Sequence, residues 1–153
     1  MLTRIFPKQV DNTHRGHPAA LWLLLVFILL KFTMSTNTML NTRSVATGGD
    51  GIALETMTAE GAQVTLMLFA LLALGQFVLA LQAAVVLVRY RALIPLMYLL
   101  LLLEVIARRV LVTIHAVPRS DGTPVGFYIN IGLLILVAVG FALSLTRRER
   151  GRQ

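Results

Sequence analysis

The sequence predicts an all-α integral membrane protein, a four-helix bundle whose helices run up-down-up-down with short loops between them. Two observations concern composition. Of the 153 residues, 57% are hydrophobic and only 14% are charged, whereas about 25% of residues are charged in soluble chains. The mean hydropathy of +0.79 leaves too few polar residues to cover a water-facing surface. The third observation is a set of apolar runs, each near the roughly 20 residues that a helix needs to cross a membrane.

Four such runs divide the chain. They cover about residues 19–40, 64–88, 92–114 and 127–146, and together they predict one four-span domain over residues 1–153. The first connection contains Gly48-Gly49-Asp50-Gly51, a composition typical of a turn. Only Arg89-Tyr90-Arg91 separates the second run from the third, so these two helices are expected to form an antiparallel hairpin. Strands are disfavoured because the runs show no alternation of apolar and polar residues.

Basic residues indicate the orientation, because cytoplasmic loops of membrane proteins are enriched in Lys and Arg. With both termini in the cytoplasm, nine of the 14 basic residues fall inside: Arg4, Lys8, Arg15, Arg89, Arg91, Arg147, Arg148, Arg150 and Arg152. Only Arg43 and Arg119 fall clearly outside. We therefore expect a multi-pass inner-membrane protein with N-in/C-in topology. Its cytoplasmic basic anchors are Arg89, Arg91, Arg147, Arg148 and Arg150. The net charge of +7 is then explained by the basic residues that orient the chain in the membrane, so no nucleic-acid partner is expected.

A second interpretation makes the first run a signal peptide, cleaved after Ser44-Val45-Ala46. It would leave three spans and an external N-terminus. The cleavage site lies too far beyond the apolar core of the run, which favours the four-span prediction.

Charged residues also lie within the first and third runs, where charge is costly and marks a candidate site. Lys31 and Glu104 each follow about eleven residues after the inner end of their runs, which places both about 16 Å deep at 1.5 Å per residue. Arg108 follows Glu104 by four residues, the spacing at which a Glu and a base pair on one helix face. The predicted intramembrane polar cluster is Lys31, Gln76, Glu104, Arg108 and Asn130, with Arg109 and His115 at its outer edge.

Three interpretations of this cluster remain open. Its charges can neutralise one another and fix the register of the helices, since buried charges are usually paired. They can instead meet a partner subunit, because polar groups hold membrane helices together. A transport or ligand site facing the outer leaflet is the third interpretation. A spacing of three and four residues from Asn130 through Gly140 to Ser144 also predicts a packing seam on the fourth helix.

Catalytic and cofactor motifs are absent from the sequence. It contains no cysteine, and Gly48-Gly49-Asp50-Gly51 is not followed by the Lys-Ser/Thr of a phosphate loop. His14 and His17 lie on the opposite side from His115, so they cannot supply facing haem ligands, and no metal site is expected. We expect no cofactor and a non-catalytic accessory or scaffold subunit that packs against a larger membrane complex or itself. The alternative is a small transporter or a lipid- or quinone-binding protein that uses the polar cluster.

Overall fold

A computed structural model of the chain describes residues 5–7, 9–14, 16–115 and 123–146. These residues are 83% helical and contain no strand, so the all-α prediction is confirmed for this part of the chain. Four long helices carry the fold: α1 (Ala19–Leu40), α2 (Ala59–Arg89), α3 (Ile94–Ile114) and α4 (Val125–Leu145).

Three of these helices, α1, α2 and α4, are long and apolar enough to cross a membrane. They indicate a membrane protein, as the composition predicted. The helix α3 has the same length as α4 but carries Glu104, Arg108 and Arg109 among its 21 residues. A membrane-spanning role for α3, and with it the four-span bundle, stays a prediction.

The helix α2 begins five residues before the predicted run at residue 64, because the side chain of Thr58 caps it there. The hydroxyl Oγ1 of Thr58 accepts a hydrogen bond from the backbone N–H of Gly61 at 3.1 Å. Glu60 lies in the same turn, where the helix dipole favours negative charge. The 31 residues of α2 span about 46 Å, which exceeds the roughly 30 Å of hydrocarbon in a bilayer.

Short helical turns connect α1 to α2. They comprise Thr42–Ser44, a π-helical turn at Val45–Gly49 and a 3-10 turn at Leu54–Thr56. Gly51 is the one described residue with a positive φ, 67°, which glycine adopts without steric cost. The second connection is shorter, since a 3-10 turn at Arg91–Leu93 leads from α2 directly into α3.

The packing of the helices defines two ends of the molecule. α1 packs against α2 and α4, and α3 packs against α4. At one end, the hydroxyl of Tyr98 near the start of α3 donates to the carbonyl of Ala20 at 2.7 Å. There too, the N–H of His17 donates to the carbonyl of Leu143 at 3.1 Å. We call this end, which contains the α2–α3 connection, the hairpin end, and the opposite end, which contains residues 41–58, the loop end.

The apolar core lies toward the hairpin end. Its buried members are Ala20, Leu24, Phe27, Ile28, Ala83, Ile94, Met97, Tyr98, Leu101, Leu133 and Val137. The buried residues of α4 are Leu133, Val137, Gly140 and Ser144, so the predicted packing seam faces the interior of the chain. Gly140 lies directly against the ring of Tyr98.

Candidate functional site

A series of hydrogen bonds links side chains of all four helices on the loop-end side of the apolar core. The ammonium of Lys31 on α1 donates to Oε1 of Gln76 on α2 at 2.6 Å. The amide Nε2 of Gln76 donates to Oε1 of Glu104 on α3 at 2.7 Å. The same carboxylate oxygen accepts from Nε of Arg108 at 3.1 Å, which makes an ion pair within α3.

Asn130 continues the series onto α4. Its Oδ1 accepts from Nη2 of Arg108 at 3.0 Å, and its Nδ2 donates to the carbonyl of Gly126 at 2.7 Å. We call the connected set Lys31, Gln76, Glu104, Arg108 and Asn130 the polar network. The structure thus brings together the five residues of the predicted intramembrane polar cluster.

Gln76 stands between Lys31 and Glu104, two charges that the sequence predicted at the same depth. A glutamine amide has both an acceptor oxygen and two N–H donors. It can therefore accept from the ammonium and donate to the carboxylate at the same time. The two opposite charges are joined through a neutral group, and the ion pair of Glu104 is with Arg108.

Lys31 is the most buried charged group of the polar network, with 5% of its surface exposed. Its ammonium lies 5.8 Å from the ring centroid of Phe27, within reach of a cation–π contact. The hydroxyl of Ser35 donates to the backbone carbonyl of Lys31. The side chains of Arg108 and Glu104 are 25% and 23% exposed.

The formal charges of the polar network do not cancel. Arg108 is paired with Glu104, whereas Lys31 is hydrogen-bonded to a neutral amide. One positive charge is therefore left in excess. Oε2 of Glu104 is buried and has no hydrogen-bond partner among the described residues, so the two donors that reach this carboxylate share its other oxygen.

A cavity of about 150 Å³ adjoins the polar network and extends toward the loop end. Its polar lining consists of Lys31, Ser35, Thr38, Asp50, Gln76, Arg108 and Asn130. Leu72, Val125 and Ile129 line it as well, and each of these three is also exposed on the outside of the molecule. The cavity therefore reaches the apolar outer surface between α2 and α4.

The predicted edge residues and the anchor residues that the structure describes lie outside the polar network and the cavity. Arg109 is exposed and its guanidinium carbon lies 4.3 Å from the ring centroid of Phe127. His115 is exposed directly after α3. Arg89 and Arg91 are exposed at the hairpin end. Arg147, Arg148 and Arg150 lie outside the described residues.

Sequence reasoning missed two contributions to this region. Asp50 lines the cavity, and its Oδ1 lies against Gly126 in the first turn of α4, where the helix dipole favours a carboxylate. The only sequence signal is an acidic residue in a glycine-rich loop. Tyr98 was also missed as the buried hydroxyl that joins α3 to α1, because a lone tyrosine in an apolar run gives no sign of its partner.

The described residues contain no group of three or more His, Asp or Glu side chains that could hold a metal ion. Comparison of the chain with protein-family models, with curated proteins and with solved structures finds no match. The polar network and the adjoining cavity are the features of the described residues that bear on function.

Proposed function

We propose that the protein is a non-catalytic four-span inner-membrane protein that holds the polar head of a membrane amphiphile in the cavity beside the polar network. The observation that carries this proposal is a cavity with polar side chains from all four helices and a rim that reaches the apolar outer surface. Ligand sites have this character: apolar walls with a few convergent polar groups.

The size of the cavity limits the ligand. At about 150 Å³ it matches an engineered protein cavity that holds benzene, and it is smaller than the roughly 300–1,000 Å³ of sites that enclose a drug-sized molecule. It therefore takes a head group, and the remainder of the ligand lies along the lipid-facing helices.

The contacts of the cavity hydroxyls support a role without catalysis. Ser35 donates its hydroxyl hydrogen to the carbonyl of Lys31, and Thr38 donates to the carbonyl of Met34 at 2.8 Å. A nucleophilic hydroxyl needs a base as its hydrogen-bond acceptor. In both cases the acceptor is a backbone carbonyl, which cannot take the proton.

The polar network supports a membrane-spanning α3. Glu104 and Arg108 bond to each other and to side chains on α2 and α4, and paired charges that face the bundle interior are tolerated in membranes. The N-in/C-in topology is supported by Arg89 and Arg91 at the hairpin end.

An accessory role in a larger complex, or self-association, remains the second prediction. The packing seam on α4 was one reason to expect such a partner. In the structure the residues of this seam are buried against other helices of the same chain, so they are not available to a partner. The cavity is a specific feature that favours ligand binding, and no comparable feature among the described residues favours a protein partner.

Purification of the full chain in a mild detergent, followed by native mass spectrometry, tests the proposal. We expect one bound amphiphile on the wild-type chain. Ala73 is 4% exposed and lines the cavity, so Ala73→Leu should fill it and remove the bound mass. Ala70→Leu is the matched control, because Ala70 lies one turn away on α2, outside the lining.

Equal ligand occupancy in both variants would contradict the proposal. A stoichiometric protein partner in place of a bound amphiphile would also overturn it, and would favour the accessory role.

A further inference from the structure

We infer that the cavity selects acidic amphiphiles, with the ammonium of Lys31 binding an oxyanion head group, a carboxylate or phosphate carried on an apolar chain. This inference rests on the proposed function and names the ligand class for the same site.

The ammonium of Lys31 has more hydrogen-bond donors than the described residues accept. An ammonium has three N–H donors, and Lys31 directs one of them to Gln76. None of the other described residues accepts a hydrogen bond from it, although the side chain is 95% buried and lines the cavity. A buried cation is stabilised most by an anion that also fills its free donors. The cavity is the space in which such an anion fits.

Arg108 adds a second cation to the same wall. A guanidinium has five N–H donors, and the bonds from Nε to Glu104 and from Nη2 to Asn130 use two of them. Arg108 lines the cavity, whereas its ion-pair partner Glu104 does not. Both cations of the polar network therefore line the cavity, and its carboxylate does not.

Asp50 is the acidic residue in the cavity lining, and it lies at the other end. Its carboxylate is against Gly126 at the start of α4. Along α1 the lining runs from Lys31 to Thr38, seven residues or about 10 Å of helix. The cations of the lining, Lys31 and Arg108, are the groups that attract an anionic head group, and Lys31 lies at the deep end of the cavity.

The cavity opens between α2 and α4, which leaves room for the apolar part of the ligand to reach the lipid. Leu72 on α2 and Ile129 on α4 line the cavity and are 47% and 43% exposed. A chain attached to a head group at Lys31 can pass between them into the lipid. A small water-borne anion would not need this lateral opening, so the geometry favours an amphiphile.

The test measures binding of radiolabelled dodecanoate to the full chain in phosphatidylcholine nanodiscs, with empty discs as background. We expect saturable one-to-one binding, displaced by dodecyl phosphate. Dodecanol, which has the same chain without the charge, should bind at least tenfold more weakly. Acetate should not compete at concentrations at which dodecanoate saturates the site.

Variants then locate the site. Lys31→Met should weaken dodecanoate binding at least tenfold, whereas Lys31→Arg should retain most of it. Arg109→Met is the matched control, since this exposed cation lies outside the cavity and its removal should leave the affinity unchanged. Equal losses from Lys31→Met and Arg109→Met would overturn the inference. The comparison of acid with alcohol needs only the wild-type chain, so it decides selectivity even if Lys31→Met does not fold.

The outcomes separate the inference from the proposed function. Equal saturable binding of dodecanoate and dodecanol, both blocked by Ala73→Leu, would overturn the anion inference and uphold the proposed function. No saturable binding of either would overturn both. Competition by acetate as strong as that by dodecanoate would identify a site for free anions and overturn the choice of an amphiphile.

Discussion

Gln76 is the residue on which the polar network depends, because among the described residues it alone joins the lysine of α1 to the acid of α3. A direct pair between Lys31 and Glu104 would satisfy both charges within the chain. With the amide between them, Lys31 keeps donors for another acceptor and Glu104 stays paired with Arg108. The neutral amide thereby keeps Lys31 out of the Glu104–Arg108 ion pair and leaves donors of its ammonium for a ligand in the cavity.

We predict that Gln76→Leu destabilises the folded chain by about 1–3 kcal/mol, since it removes an acceptor from Lys31 and a donor from Glu104 in a partly buried site. The midpoint of thermal unfolding in detergent micelles measures the effect. Gln82→Leu is the matched control: Gln82 lies on the same helix, is exposed, and makes no side-chain hydrogen bond to any described residue. Equal midpoints for the two variants would show that the network contributes nothing to stability.

At the scale of the helices, apolar run length predicted the elements well. The run at residues 19–40 coincides with α1, and the fourth run differs from α4 by one or two residues at each end. The apolar run at residues 64–88 leaves out the first turn of α2, because residues 59–63 include the polar Glu60 and Gln63, and the helix begins at the Thr58 cap. Hydropathy detects the part of a helix that lies in lipid, whereas capping decides where the helix begins.

The site was predictable in part. Residue counting along each helix grouped Lys31 with Glu104 by depth, because helical rise is constant. The pairing of Arg108 with Glu104 was predictable from their spacing of four residues. The hydrogen-bond partners on other helices were not, since they depend on the rotation of each helix about its axis. The cavity depends on the separation of α2 and α4, which no pattern within a single helix encodes.

Contact between α3 and α4 gives the next prediction. Gly140 leaves no room for a side chain, because an added Cβ would overlap the ring of Tyr98. That ring is fully buried and is held by its hydrogen bond to Ala20, so it cannot move aside freely. Gly140→Ala should therefore destabilise the chain by about 1–3 kcal/mol, the usual cost of overpacking.

The matched control for this contact is Gly132→Ala on the same helix, where an added Cβ would meet open space. It should leave the unfolding midpoint unchanged or raise it, since alanine is favoured over glycine in a helix by about 0.5–1 kcal/mol. A Gly140→Ala chain as stable as Gly132→Ala would show that α3 and α4 do not pack as described.

For the whole molecule, the described residues at the two ends differ in charge in a way that predicts an orientation. Arg89 and Arg91 are exposed at the hairpin end, and positive residues are retained on the cytoplasmic side during insertion. The connection between α1 and α2 lies at the opposite end and carries Glu55 and Asp50 beside a single Arg43. The hairpin end should therefore face the cytoplasm, which also places the cavity in the outer half of the bilayer.

Single cysteines test this orientation directly, because the natural chain has none. We expect Glu55→Cys to react with a membrane-impermeant maleimide in intact spheroplasts, and Tyr90→Cys to react only after the membrane is opened. Both positions are exposed, so a difference in labelling reports the side of the membrane. Ile135→Cys, on the exposed apolar face of α4, should stay unlabelled in both conditions because a charged maleimide does not enter lipid. The reverse labelling of Glu55→Cys and Tyr90→Cys would invert the topology and place the cavity in the cytoplasmic leaflet.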